Sequence, residues 1–254
     1  MPFASVAKQK IYYETEGARG GPVILVHGSG SNHAIWKPQV RALSTIARPV
    51  AIDLPGHGQS DLPGRNSVDD YGNVLLGLLD ALQFDRAVVV GHSLGGAIAQ
   101  SIALAHPDRV AGIGLVGTGA RLRVLPAILD GILSDFGKTV PFVVENAYAP
   151  NLSDEMRERA IAELRACSPQ VTHGDYAACN AFDVMARLGE IRAPTLVICG
   201  KQDRMTPIKY SEHLVSKIRG AQLVSIDNAG HSVMIEQPEA TARALFDFVK
   251  NLPV

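Results

Sequence analysis

The sequence predicts an α/β protein built on one doubly wound, mostly parallel sheet with helices on both faces, interrupted once by a helical insertion. Three observations carry this. Short runs of Val, Ile and Leu recur without in/out alternation, the pattern of strands covered on both faces. Helical patterns separate the runs, so each connection is long enough for a right-handed crossover. The alternation then stops between about residues 119 and 187, where helical patterns follow one another with no strand signal between them.

In chain order, residues 11–16 alternate like one arm of an edge hairpin, and residues 23–26, 50–52, 87–90, 110–116, 195–199 and 223–226 read as buried strands. The clearest helix starts at Ser67, an N-cap type residue followed by Asp69 and Asp70, which favour the positive end of the helix dipole. Val68, Tyr71, Leu75, Leu78 and Leu82 then recur at helical spacing, so that face is expected to lie on the sheet. Residues 95–105 are apolar nearly all round, through Ala97, Ile98, Ala99, Ile102, Ala103 and Leu104, which predicts a deeply buried helix.

The organisation expected is a core domain of residues 1–118 and 188–254 with an insertion at 119–187. Leu125, Ile128, Leu129, Ile132, Leu133 and Phe136 form one apolar stripe in the insertion. Ser153, with Asp154 and Glu155, opens another helix that ends before Pro169. Neither stripe can bury itself alone. The insertion is therefore expected to pack as a lid over the carboxyl edge of the sheet, where open α/β sheets bind ligands, with a helical patch remote from any site as the alternative.

Composition narrows the function. The chain has 254 residues, 46% of them apolar, which is enough for one large core. Lys and Arg total 24 against 25 Asp and Glu, so there is no net charge to hold a phosphate backbone or an anionic membrane, and nucleic acid is not expected as a partner. Cys167, Cys179 and Cys199 make an odd count with no CxxC spacing, which disfavours a disulfide framework or a thiolate metal site and fits a reducing cytosol. Residues 1–13 carry lysines and no apolar signal core, and no later apolar run approaches the ~20 residues of a membrane span. A soluble, cytoplasmic protein is expected.

The sharpest local signal is Gly91-His92-Ser93-Leu94-Gly95-Gly96, standing between the strand at 87–90 and the buried helix. A serine in such a strand-turn-helix elbow is held in a strained conformation with its hydroxyl above the sheet, and glycines two residues to either side give the turn room to close. A serine hydroxyl is a weak nucleophile, so this reading requires a base and an acid that orients it. Asp203 follows the strand at 195–199 and His231 follows the strand at 223–226, so parallel strands bring both to the same edge as Ser93. Asp227, four residues before His231, is the rival acid. His92 is disfavoured as base because a side chain next to the nucleophile in so tight a turn points elsewhere. His27 and His57 lie in glycine turns and are expected to be structural, while His33, His106, His173 and His213 are expected to face solvent or cap helices.

Acyl transfer also needs hydrogen-bond donors where charge develops on the carbonyl oxygen. The amide of Leu94, at a helix N-terminus, is one candidate; the amide of Ser29, in the glycine-rich loop after the strand at 23–26, is the other. A phosphate-cradling role for that loop is disfavoured because it lacks the Walker lysine and a GxGxxG run. Trp36, Phe182, Met205 and Val233 are candidate pocket walls, with ordinary core packing an equal alternative for each. The base must be neutral to accept a proton. An unperturbed histidine titrates near ~6.5, so activity is expected to fail at acid pH.

Taken together, His27-Gly28-Ser29-Gly30, Trp36, the run from Asp53 to Ser60, Gly91 to Gly96, Gly200 to Asp203 and Gly230-His231 resemble, in order and rough spacing, the α/β-hydrolase superfamily, and within it the compact, capped, carboxylesterase-like members. The resemblance implies an eight-stranded, mostly parallel sheet and neither metal nor organic cofactor; the helical cap is expected from the insertion itself. Members with serine in this place include esterases, lipases, thioesterases, lactonases, carbon-carbon bond hydrolases, perhydrolases and hydroxynitrile lyases. Epoxide hydrolases and haloalkane dehalogenases carry aspartate there, so Ser93 argues against both. The expected activity is cleavage of small or medium carboxylic esters through an acyl-enzyme on Ser93. A lactonase, a carbon-carbon bond hydrolase, or a small-molecule receptor with slow turnover are the alternatives.

Overall fold

A computed structural model describes residues 2–17 and 19–252. Its strands are β1 (Phe3–Val6), β2 (Gln9–Thr15), β3 (Pro22–Val26), β4 (Arg48–Ile52), β5 (Ala87–His92), β6 (Val110–Val116), β7 (Thr195–Gly200) and β8 (Gln222–Ile226). They form one eight-stranded sheet in the order β1-β2-β4-β3-β5-β6-β7-β8. β1 pairs antiparallel with β2, and β2 antiparallel with β4; every other pairing is parallel. The expected edge hairpin is thus β1–β2, and the buried runs are the parallel strands. The chain crosses from β3 to β4 and back past β3 to β5, so the sheet is wound in both directions and the loops after β3 and β5 sit side by side at its carboxyl edge.

Why the parallel strands read as continuous apolar runs is visible in the layers. Ile24, Val26 and Val89 pack into a core with residues of α2 (Val68–Ala81) and α3 (Leu94–Ala105), while Val23, Leu25, Val88 and Val90 pack on the opposite face. That second face is covered by α1 (Lys37–Leu43) and by residues of the C-terminal segment, whose helix ranges are given below. Ser67 caps α2 by accepting from the Asp70 N–H, and Tyr71, Leu75 and Leu78 are fully buried on the sheet side. Each leucine removed from water in this way contributes about 1.5–3 kcal/mol.

Between β6 and β7 the chain forms α4 (Pro126–Ser134), α5 (Phe136–Ala147), α6 (Asp154–Ala166) and α7 (Pro169–Ala181). The stripe expected from Leu125 to Phe136 does not run as one helix. Asp135 leaves helical conformation and its side chain accepts from Lys138 N–H to start α5, so the phase of the pattern is lost. Ile128 and Ile132 are buried, but Leu125 and Leu133 stand 59% and 55% exposed. Ile132, Val140, Val144 and Leu164 instead join in a core of the insertion's own, against which Met205 and Ile235 of the main body pack. After β7 come α8 (Ile208–Lys217), the short α9 (Val233–Glu236) and α10 (Pro238–Lys250). Among the described residues no helix is long and apolar enough to cross a membrane.

Candidate active site

Ser93 stands where β5 turns into α3, with φ 51° and ψ −112°, a conformation L-residues avoid. Close packing enforces it. A Cβ on Gly91 would lie 2.0 Å from the Gly95 carbonyl oxygen, and one on Gly95 would lie 2.4 Å from that of Val26, so neither position admits a side chain. The Ser93 N–H donates to Val116 O at 3.0 Å, and the hydroxyl of Thr118 donates to Ser93 O at 2.8 Å. The strained residue is held from both sides. Such strain is what lifts a hydroxyl clear of the sheet.

At the same edge, His231 follows β8 and Asp203 follows β7. Nδ1 of His231 donates to Oδ2 of Asp203 at 2.9 Å, leaving Nε2 of the neutral ring as an acceptor. Oδ1 of Asp203 accepts from the N–H groups of Met205 and Thr206, each at 2.8 Å, and the Thr206 hydroxyl donates to Oδ2 at 2.8 Å. Burial pushes this carboxyl up, but His231 beside it and the Thr206 donors outweigh burial and hold it at about 2. It is therefore ionised at any ordinary pH. Asp227 has no such role: it is exposed and pairs with Lys201 at 2.8 Å. His231 is held in turn through its loop, where Glu236 accepts from Gly230 N–H at 2.8 Å and from Ala149 N–H at 2.7 Å.

The glycine-rich loop is ordered by buried side chains. Nδ1 of His27 donates to Gly28 O at 2.8 Å, and its Nε2 accepts from Leu54 N–H at 3.0 Å, which requires the neutral ring. Burial, with the charge of His57 adding to it, lowers His27 to about 4, in agreement with that tautomer. Because the Gly28 carbonyl also accepts from Ser31 N–H at 3.3 Å, the Gly28–Ser29 peptide is pinned and the Ser29 N–H points the opposite way. The Leu94 N–H, at the first position of α3, has no intrahelical acceptor.

Ser29, Ser93 and His231 line one cavity of about 140 Å³, whose walls are mainly apolar. Leu94 and Asp203 do not line it. No hydrogen bond joins the Ser93 hydroxyl to His231 among the described residues; contacts of this kind commonly tighten only when substrate is seated. The model of the alpha/beta hydrolase family matches residues 23–244.

The chain belongs to the alpha/beta hydrolase family.

Among its relatives, those named as hydrolases differ in the bond they cleave. A 2-hydroxy-6-oxononadienedioate/2-hydroxy-6-oxononatrienedioate hydrolase of Cupriavidus pinatubonensis is 30% identical over 263 residues, covering 95% of this chain and 91% of the relative. The 3-oxoadipate enol-lactonase 1 of Acinetobacter baylyi is 30% identical over 251 residues, covering 94% and 92%. The solved structure of a thermophilic esterase is 38% identical with a TM-score of 0.87, covering 98% of this chain and 96% of that one.

Within this alpha/beta hydrolase, several expectations need correction. Of the four candidate pocket walls only Met205 lines the cavity; Trp36, Phe182 and Val233 are core residues, because their strands and helices turn them into the layers beside the sheet. The cavity is walled instead by insertion residues such as Val144, Tyr148, Leu164 and Tyr176. His33 neither faces solvent nor caps a helix, since Nδ1 donates to buried Asp53 at 2.7 Å. Sequence reasoning also missed Thr206 and Asp175. His92, set aside as a base, lines the cavity beside Ser93 and packs against His231, with the two ring centroids 4.7 Å apart. Asp175, in the middle of a helix with no motif around it, is fully buried and bonded to three other segments. Thr206 alone had a signal, its position three residues after Asp203 in the same loop.

Proposed function

We propose that this hydrolase cleaves small or medium carboxylic esters through an acyl-enzyme on Ser93. One observation carries the reading: a strained serine and an imidazole whose Nδ1 is tied to an ionised, buried carboxylate open onto the same cavity. Neutral His231 takes the Ser93 proton as the hydroxyl attacks the ester carbonyl, and the Ser29 and Leu94 amides hold the oxygen on which charge develops. The protonated His231 then donates to the departing alcohol. In the second half His231 activates water, which attacks the acyl-enzyme and releases the acid. Asp203 keeps the ring in the required tautomer and balances the imidazolium.

The cavity supports a small acyl group. About 140 Å³ is close to the ~150 Å³ apolar cavity that holds benzene and well below the ~300–1,000 Å³ of pockets for drug-sized ligands. The insertion at 119–187 acts as a cap in this reading, since α5, α6 and α7 supply much of the wall. The 38% identity to an esterase favours ester cleavage, while the enol-lactonase relative keeps lactone hydrolysis as the second reading. The substrate is a small molecule rather than a nucleic acid or membrane. A cytoplasmic location is supported by cysteines that are all buried and free.

A panel of p-nitrophenyl esters of rising acyl length, with simple lactones, tested on the wild type and Ser93→Ala, decides the class. Fast turnover of acetate or butyrate esters, lost in Ser93→Ala, is the expected result. Preference for lactones selects the second reading, and a slow stoichiometric burst identifies a receptor.

A further inference from the structure

Asp175 lies in α7 of the insertion, far along the chain from the site residues, and its side chain is fully buried. Its Oδ2 accepts from Gly30 N–H at 2.8 Å and from Nε2 of His57 at 2.8 Å, and its Oδ1 accepts from the Tyr71 hydroxyl at 2.5 Å. Nδ1 of His57 donates to Pro55 O at 3.0 Å, so both ring nitrogens are donors and His57 is an imidazolium. A buried carboxylate thus meets a buried cation. Burial opposes the charge on His57, but Asp175 beside it raises its pKa well above the ordinary value.

What these bonds connect is specific. Gly30 is the residue after Ser29, with φ +64°, and a Cβ there would lie 2.3 Å from Leu164 of the insertion. His27 and Ser31 fix the Gly28 carbonyl on one side of Ser29. Asp175 fixes the Gly30 N–H on the other. The two peptides that flank Ser29 are therefore clamped, one from the core and one from the insertion.

We propose that Asp175 is a positioning residue for the reaction: from the insertion it holds the Gly28–Gly30 loop so that the Ser29 amide faces the oxygen developing charge. This rests on the acyl-enzyme reading of the site. It also makes the insertion more than a wall, because seating α7 on the core and ordering the oxyanion donor become one event.

Steady-state kinetics of Asp175→Asn on p-nitrophenyl acetate, beside Ser93→Ala, test the proposal. Turnover that survives Ser93→Ala overturns the underlying reading. With Ser93→Ala inactive, Asp175→Asn is expected to lose about 10- to 100-fold in kcat, with KM within about twofold of wild type. A phenylboronic acid, whose tetrahedral adduct on serine occupies the oxyanion position, should bind more weakly by a similar factor. Wild-type kcat, a loss confined to KM, or a kcat loss with boronate affinity unchanged each overturns the positioning role and leaves the triad reading intact. If Asp175→Asn does not fold by circular dichroism, Asp175→Glu takes its place, since it keeps a charge beside His57 and displaces the carboxylate from Gly30 N–H. A kcat-selective loss supports the proposal there, and wild-type kcat overturns it.

Discussion

Nε2 of His92 donates to the backbone carbonyl of His231 at 3.1 Å, so the residue immediately before the strained serine braces the histidine that lines the same cavity. His92 lies at the end of the central strand β5 and His231 in the loop after the edge strand β8. Burial, with the nearby charge of His231 adding to it, lowers His92 to about 3, so its ring is neutral at ordinary pH.

His92→Leu keeps bulk but removes the donor, leaving a buried carbonyl unsatisfied at a cost of about 1–3 kcal/mol. If that cost falls on the position of His231, kcat drops by about tenfold. The pH at which activity rises should not move, because the titrating base is unchanged. Ester hydrolysis measured from pH 5 to 9 on both proteins checks this.

Asp203→Asn leaves the shape but removes the charge and favours the wrong tautomer of His231. A kcat loss on the order of 10³–10⁴ is expected. Thr206→Val, which removes the hydroxyl donated to Oδ2, should cost much less, about tenfold, since the two backbone donors on Oδ1 remain. Stopped-flow acylation rates on the pair give the ordering.

Gly91→Ala should abolish folding rather than activity alone. Its Cβ would sit 2.0 Å from backbone atoms of the turn, which cannot move without opening the helix, so the loss should exceed about 4 kcal/mol. Soluble yield and thermal melting measure it. Gly189, whose added Cβ would meet nothing within 4 Å, is the control position.

Stability should depend on pH from both sides. His27 and His92, lowered to about 4 and 3, are neutral when folded; their contribution is present above ~6.5 and lost as pH falls toward those values. Each loses on the order of 2 kcal/mol by pH 5. His57 is raised chiefly by Asp175 against burial, and His33 by its hydrogen bond to Asp53; their contribution is present below ~6.5 and lost as pH rises through the raised values. Calorimetric Tm should therefore peak near neutrality and fall toward pH 4. A flat profile there would count against the buried neutral rings.

The parts of this architecture that are periodic or local were legible in the sequence. Runs such as Val88-Val89-Val90 are apolar throughout because both faces of β5 are covered, and the glycines around Ser93 announce the turn that their absence of side chains permits. Asp203 and His231 were legible because parallel strands deliver their ends to one edge. Contacts that depend on how separate segments dock were not. Asp175 stands in an ordinary helix, and only the packing of α7 on the core turns it toward Gly30 and His57. The apolar stripe from Leu125 misled because Asp135, which reads as one more polar residue, ends one helix and caps the next.

The central claim is that Ser93 is the nucleophile. Treating the protein with diethyl p-nitrophenyl phosphate, and locating the phosphoryl adduct by peptide mass spectrometry as activity declines, tests it most directly. The account predicts one adduct, on the peptide that carries Ser93, rising in step with the loss of esterase activity. Complete inactivation with the adduct elsewhere, or full labelling of Ser93 with activity retained, would contradict it.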